Sequence, residues 1–224
     1  QKTAFIQAQT GLGKTYGYLL PALSMESEGG ILVSVPTKIL QNQIMQEEGS
    51  RLKDTFHIDI HSLKGPQNYL KLDNFYKVLH RPESNRLFTR FKMQVLIWLT
   101  ETETGDLDEI GQLYRYQHFL SELVHDGKLS KKSLFSSEDF WQRSQDRAKS
   151  SRLLLTNHAY LVTRLEDDPE FVNNRLVIID EAQKMLIALE NLAQESYLLD
   201  NLVTQVEKSL ETEKDLIQRR LLES

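Results

Sequence analysis

The eight residues Ala8-Gln9-Thr10-Gly11-Leu12-Gly13-Lys14-Thr15 constrain this chain more than any other stretch. They follow the phosphate-loop spacing GxxxxGK[ST], with Ala8 in place of the first glycine. Glycines there let the backbone turn tightly, so that successive amides and the start of the next helix face one point and can hold a polyphosphate. Lys14 is placed to reach the β and γ phosphates, and the Thr15 hydroxyl is placed to ligate magnesium. The surroundings have the required order. The apolar run Thr3 to Ala8 predicts a strand entering the loop, and Tyr16 to Leu23 has the leucine and alanine content of a buried helix leaving it.

A loop of this kind needs a parallel sheet to carry it, and the chain supplies candidates. Ile31 to Val35 is a β-branched run closed by Pro36 and followed by helix formers from Lys38. Ile58 to Leu63, Leu153 to Thr156 and Leu176 to Ile179 are further short runs of buried-strand type. Five strands with helical crossovers predict an α/β fold, a RecA-like doubly wound parallel sheet of the P-loop NTPase kind. Between about Asn74 and Ser150 the pattern turns helical: Phe88, Phe91, Val95 and Trp98 recur at three and four residues, and Ile110, Leu113, Gln117, Leu120 and Val124 nearly repeat the stripe. The expected organisation is a motor lobe from residues 1–73 and 151–190 and a helical insertion at 74–150. A helical segment at 191–224 begins a further domain, with Leu199, Leu202, Val206 and Leu210 on its stripe. The chain opens at Gln1 beside its first strand, and the last stripe runs to Ser224 without a cap, so a piece of a longer protein is expected.

Leu176-Val177-Ile178-Ile179 runs into Asp180 and Glu181, which puts two carboxylates where open α/β sheets hold their ligands. Paired with the phosphate loop, Asp180 is the expected magnesium partner and Glu181 the residue that orients and deprotonates the attacking water. The six histidines show no metal-ligand spacing, and His158 takes no catalytic role.

Composition narrows the class. No run of about 18 apolar residues is present, so a membrane span is not expected and a cytoplasmic protein is. Zero cysteines exclude disulfides and cysteine-ligated zinc or iron–sulfur clusters. A net charge of −5 counts mildly against coating nucleic acid by bulk charge and leaves local basic surfaces, Arg81 to Lys92 or Lys128 to Lys132, although such a charge run is more often a solvated helix face.

The order AxTGxGKT, then Val35-Pro36-Thr37-Lys38 with Leu40 and Gln43, then Asp-Glu-Ala after an apolar strand, resembles motifs one, one-a and two of superfamily 2 helicases. Lys64-Gly65-Pro66-Gln67-Asn68-Tyr69-Leu70 and Thr156-Asn157-His158-Ala159 resemble segments of the DinG and XPD family, so the likeness runs from Gln7 to Lys184. It implies ATP and Mg²⁺ as cofactors, single-stranded DNA as partner, a second motor lobe and slow turnover by the segment alone. That second lobe brings an arginine to the γ-phosphate, a residue worth about a thousandfold or more in rate. In that family the residue after Asn-Tyr-Leu is the first of four cysteines holding an iron–sulfur cluster; here it is Lys71. The sequence therefore looks like the cluster-less DinG-type proteins of Gram-positive bacteria, in which an exonuclease domain commonly precedes the motor. Gln183 stands where the family usually has a histidine that couples the nucleotide site to DNA and the second lobe.

The resemblance also places Thr37 and Lys38 at a phosphodiester backbone, although Pro36-Thr37 reads equally as the start and cap of a helix. Asn68 and Tyr69 could bond or stack a single strand or simply pack, and Asn157 lies at a strand end near the nucleotide side. Two other classes keep the same loop. One is a small-molecule kinase or signalling NTPase, against which Pro-Thr-Lys and Asp-Glu-Ala weigh. The other is a nucleotide-responsive DNA-binding or regulatory module of a fused 3'-5' exonuclease, without unwinding activity.

Overall fold

The computed structural model describes residues 3–9, 13–25, 29–82, 85–111, 116–128 and 133–193. Among these, four parallel strands form one sheet in the order β2-β3-β1-β4, with β1 Ile31–Val35, β2 Ile60–Ser62, β3 Leu153–Asn157 and β4 Leu176–Ile179. The central pair, β1 and β3, is buried at every position, as an unbroken apolar run in a parallel sheet covered on both faces should be. Alternation divides the faces. Ile31, Val33, Val35, Leu153 and Leu155 pack against α1 (Lys14–Ser24), α2 (Lys38–Ile44) and α3 (Ser50–Phe56) through Leu19, Ile44 and Leu52. Leu32 and Leu154 face the other way, onto Ala148 of α7 (Phe140–Ser150) and Leu161 of α8 (His158–Asp167). A π-helical turn at Met45–Gly49 joins α2 to α3.

The strand register aligns the sheet at one end. Val35 pairs with Asn157 and Ser34 with Ile179, so the carboxyl ends of β1, β3 and β4 lie level. Pro36-Thr37, His158 and Asp180-Glu181 therefore leave the sheet along one edge.

A second apolar cluster lies between β2 and β3 in sequence. It gathers Tyr69, Leu70, Phe75, Phe88, Phe91, Val95, Trp98, Leu107, Leu123 and Phe140, with α4 (Leu72–His80) and α5 (Arg86–Leu99) supplying most of its bulk. The stripe Phe88, Phe91, Val95 and Trp98 is buried as its spacing requires, and Asn85 caps α5 by accepting from the amides of Leu87 and Phe88. Isolated antiparallel bridges, Tyr69 with Asp106 and Leu70 with Val124, tie the cluster to the chain leaving the sheet.

Two expectations change. The run Thr3 to Ala8, expected as a strand, is irregular chain with Phe5 and Ile6 exposed. A strand exists only through a partner, and among the described residues β4 is paired on one side alone. Among the described residues the second helical stripe is helical only at α6 (Gln117–Leu120); Ile110 follows a 3₁₀ turn, and Val124 sits in a bridge to Leu70 that outcompetes helix propensity there. Leu113, and the expected stripe at 199–221, lie outside the described residues, while α9 (Gln183–Ala193) follows β4 as expected.

Gly105 has φ +68, and a Cβ there would overlap the Phe140 ring. Gly105→Ala is expected to lower stability by about 2–4 kcal/mol through backbone strain and overpacking. Gly111→Ala, where a Cβ meets nothing within 4 Å, should stay within about 0.5 kcal/mol; denaturant unfolding of both variants checks the contrast.

Candidate nucleotide site

The helix α1 starts at Lys14, directly after Gly13, whose φ of 67 is the left-handed conformation that glycine adopts without strain. Among the described residues no side chain caps this end, and a Cβ at Gly13 would meet nothing within 4 Å. An open, uncapped helix start followed by a lysine and a threonine fits a polyphosphate. Ala8 and Gln9 approach it as exposed irregular chain, whereas Thr10, Gly11 and Leu12 lie outside the described residues.

Opposite stand the two acids. Asp180 leaves β4 with its amide donating to the Ser34 carbonyl at 2.9 Å, which continues the sheet pairing by one residue. The Tyr18 phenol of α1 donates to Asp180 Oδ2 at 3.4 Å. Tyr18 lies one helical turn after Thr15, so this contact ties the first turn of α1 to the end of β4. Burial first, then the Asp180 charge, raises the Tyr18 pKa, so the phenol stays a neutral donor.

Glu181 turns the chain with φ 48, a left-handed conformation uncommon for a residue with a Cβ. Its carboxylate pairs with Lys184 Nζ at 2.6 Å, and that bond, helped by Lys14, holds its pKa below the usual carboxylate range. Lys14, distant in sequence, therefore lies within electrostatic reach of Glu181. Gln183 occupies the first position of α9 and is exposed.

His158, expected to be structural, is the residue that links these parts. Its ring is buried, with Nδ1 at 2.7 Å from Ser34 Oγ and Nε2 at 3.0 Å from the Asp180 carbonyl. A carbonyl only accepts, so Nε2 carries the proton and donates; Nδ1 then accepts from the serine hydroxyl. Burial lowers the His158 pKa and keeps the ring in this neutral form. The ring thus fixes the backbone just before the strained Glu181 turn. Its strand-end position and its place in the Thr156-Asn157-His158-Ala159 segment were the sequence signals for it, and Ser34, inside an apolar strand, offered none.

The residues expected at nucleic acid separate into two groups. Thr37 is exposed and caps α2, its Oγ1 accepting from the Leu40 amide at 3.2 Å. Lys38 is half-exposed and donates to Asn68 Oδ1 at 2.6 Å, with Asp108 at 3.9 Å. Asn68, Tyr69 and Asn157 are buried, in keeping with the packing alternative for these side chains. Asn68 donates to the Gly65 carbonyl and steadies Lys38. The Tyr69 ring belongs to the second core cluster, and its hydroxyl meets Ser144 at 2.8 Å. Asn157 donates to Gln41 and caps α8 by accepting from the Tyr160 amide. Apolar surroundings and a cap position outweighed any surface role for these polar side chains.

Residues 1–102 match the DEAD/DEAH box helicase family. The chain is 35% identical over 193 residues to the 3'-5' exonuclease DinG of Bacillus subtilis (strain 168), covering 80% of this chain and 20% of that protein. The proteins of the same name from Staphylococcus saprophyticus and Staphylococcus epidermidis are 30% and 27% identical, each with 81% of this chain and 20% of the relative covered. The chain thus spans about a fifth of the length of these relatives. No helix among the described residues is long and apolar enough to cross a membrane. The family match over residues 1–102 and these relatives together support a likeness to the DEAD/DEAH box helicases and to one part of the DinG-type proteins.

Proposed function

We propose that this lobe binds and hydrolyses Mg-ATP and couples that hydrolysis to movement of its full-length protein along single-stranded DNA. One observation carries the reading: the start of α1 and the end of β4 meet, with the Tyr18 phenol of α1 donating to Asp180. In this reading Ala8 to Thr15 cradle the phosphates, with Lys14 on the β and γ groups. Thr15 and Asp180 hold magnesium, which on binding neutralises phosphate charge and polarises the γ-phosphoryl group. Glu181 orients and deprotonates the attacking water, and its pairing with Lys184 keeps it ionised beforehand.

Gln183, on the helix leaving the site, passes the state of the nucleotide onward. The Lys38 ammonium and the Thr37 hydroxyl contact the DNA backbone, where a cation and a donor serve best. The motor lobe comprises residues 1–73 and 151–190, with 74–150 as an insertion and a further domain beginning near 191. A second motor lobe and a nuclease domain belong to the whole protein.

His158 ties the two halves of this scheme, because Ser34 lies just before the Thr37-Lys38 turn and the Asp180 carbonyl just before Glu181. His158 is accordingly a positioning residue.

In the full-length protein, Mg-ATP hydrolysis should rise on adding single-stranded DNA, and Lys14→Ala should abolish the rise. DNA binding without ATP turnover would instead identify a nucleotide-responsive module serving the nuclease. Lys38→Ala should weaken DNA binding uniformly across sequences and flatten the slope of log affinity against log salt by about 0.7, the single-strand value for one phosphate contact; an unchanged slope would remove Lys38 from the interface. His158→Ala should cost about 1–3 kcal/mol of stability and lower DNA-stimulated kcat by roughly tenfold, with KM for ATP little changed. His158→Gln, which can still donate and accept, should recover part of kcat, whereas a purely structural histidine would leave kcat of the folded variant intact.

A further inference from the structure

The candidate nucleotide site occupies the carboxyl ends of the strands, and a differently charged space lies beneath their amino ends. A cavity of about 360 Å³ opens there, lined by residues of the turn before β1, the end of α7, the end of α8 and the loop before β4. That volume lies at the lower end of small-ligand pockets, about 300–1,000 Å³. Lys149, Arg164 and Arg175 face it with a single carboxylate, Asp168, while the whole chain carries a net charge of −5.

The two guanidinium groups are incompletely matched. Arg164 gives Nη2 to Asp168 at 3.0 Å, and Arg175 gives Nη2 to the Ala148 carbonyl at 2.7 Å. Arg164 Nε and Arg175 Nη1, however, are shielded from water and have no hydrogen-bond partner among the described residues. Burial holds the Arg175 pKa below its ordinary value, with no acid offsetting it. Shielded charged donors without acceptors are costly, and planar guanidinium forks match the oxygens of a phosphate. Phe171, with the Arg164 guanidinium 5.2 Å from its ring centroid, stiffens one wall. Lys149 at the rim is largely exposed and bound only to Asp146, so its ammonium can turn inward.

We propose that this cavity is an anion site for a phosphate group, carried either by a small phosphate or by a nucleic-acid backbone. On binding, Arg175 and Arg164 turn to present their N–H donors to the oxygens, Lys149 closes over them, and Asp168 weakens the site by competing for Arg164. The site is separate from the phosphate loop, because β1 and β4 intervene, a span of about 15 Å at roughly 3.3 Å per residue.

The test uses the full-length protein carrying Lys14→Ala, so that the phosphate loop does not contribute. Inorganic phosphate and a short single-stranded oligonucleotide are titrated separately by calorimetry at fixed ionic strength. Arg175→Gln should weaken binding of one of the two by about tenfold, the scale of one charge-assisted hydrogen bond. Asp168→Asn should strengthen binding of that same ligand several-fold, a gain that misfolding cannot produce. Loss confined to inorganic phosphate identifies a small phosphate ligand, and loss for the oligonucleotide alone identifies a nucleic-acid backbone; either supports the site. Unchanged affinity of both variants for both ligands would overturn it, as would the absence of any gain in Asp168→Asn should Arg175→Gln fail to fold.

Discussion

Everything in this lobe depends on the parallel pairing of β1 with β3 on one side and β4 on the other. Ile31 to Val35 has no exposed position, so its side chains must be covered on both faces and its backbone must be paired on both edges. Once paired in this register, the ends of three strands are level. Residues far apart in sequence then meet without any of them being chosen for the meeting. Asp180 arrives beside α1 because the Ser34 carbonyl takes its amide, and His158 arrives between them because β3 ends where β1 ends.

That edge is polar inside an apolar sheet. Ser34, Gln41, Asn157 and His158 are all buried, and each finds partners in the others or in nearby backbone: Gln41 donates to the Leu63 and Leu155 carbonyls and accepts from Asn157. A connected set of this kind resists small displacements, since moving one member leaves a buried donor or acceptor unpaired. The strained Glu181 turn sits at its end. Rigidity behind the acids and an open, uncapped helix in front of them suit a site that must hold a multiply charged ligand in one orientation.

Sequence periodicity revealed the β1, β3 and β4 strands and the α5 stripe because each satisfies its own burial pattern locally. It failed at Thr3 to Ala8, where apolar content is identical to that of a strand but the deciding factor, a paired neighbour, is not a local property. It failed at Ile110 to Val124 because bridges to Tyr69 and Leu70 are contacts between distant segments. In the site, the spacing of Gly13, Lys14 and Thr15 was legible since the chemistry lies within one loop. Tyr18, Ser34, His158 and Lys184 were not, because their roles are set by which atoms the fold brings within hydrogen-bond distance. Asn68, Tyr69 and Asn157, polar side chains in family-like segments, are buried and bonded within the lobe, which their sequence context did not reveal.

Lys71 stands where resemblance to the DinG and XPD family would place the first cluster-binding cysteine, and here its ammonium bonds Asp126 and the Lys128 carbonyl. Nearby, His125 bonds Asp139, so the segment around 125–128 is tied back to α4 and α7 through charge and hydrogen bonds. Such a closure has no electrons to lose. A cysteine-ligated cluster fails when oxidants reach it, whereas an ammonium–carboxylate contact is indifferent to oxygen and peroxide and is loosened instead by ionic strength. This part of the lobe is held by contacts that salt can weaken and that redox state does not touch.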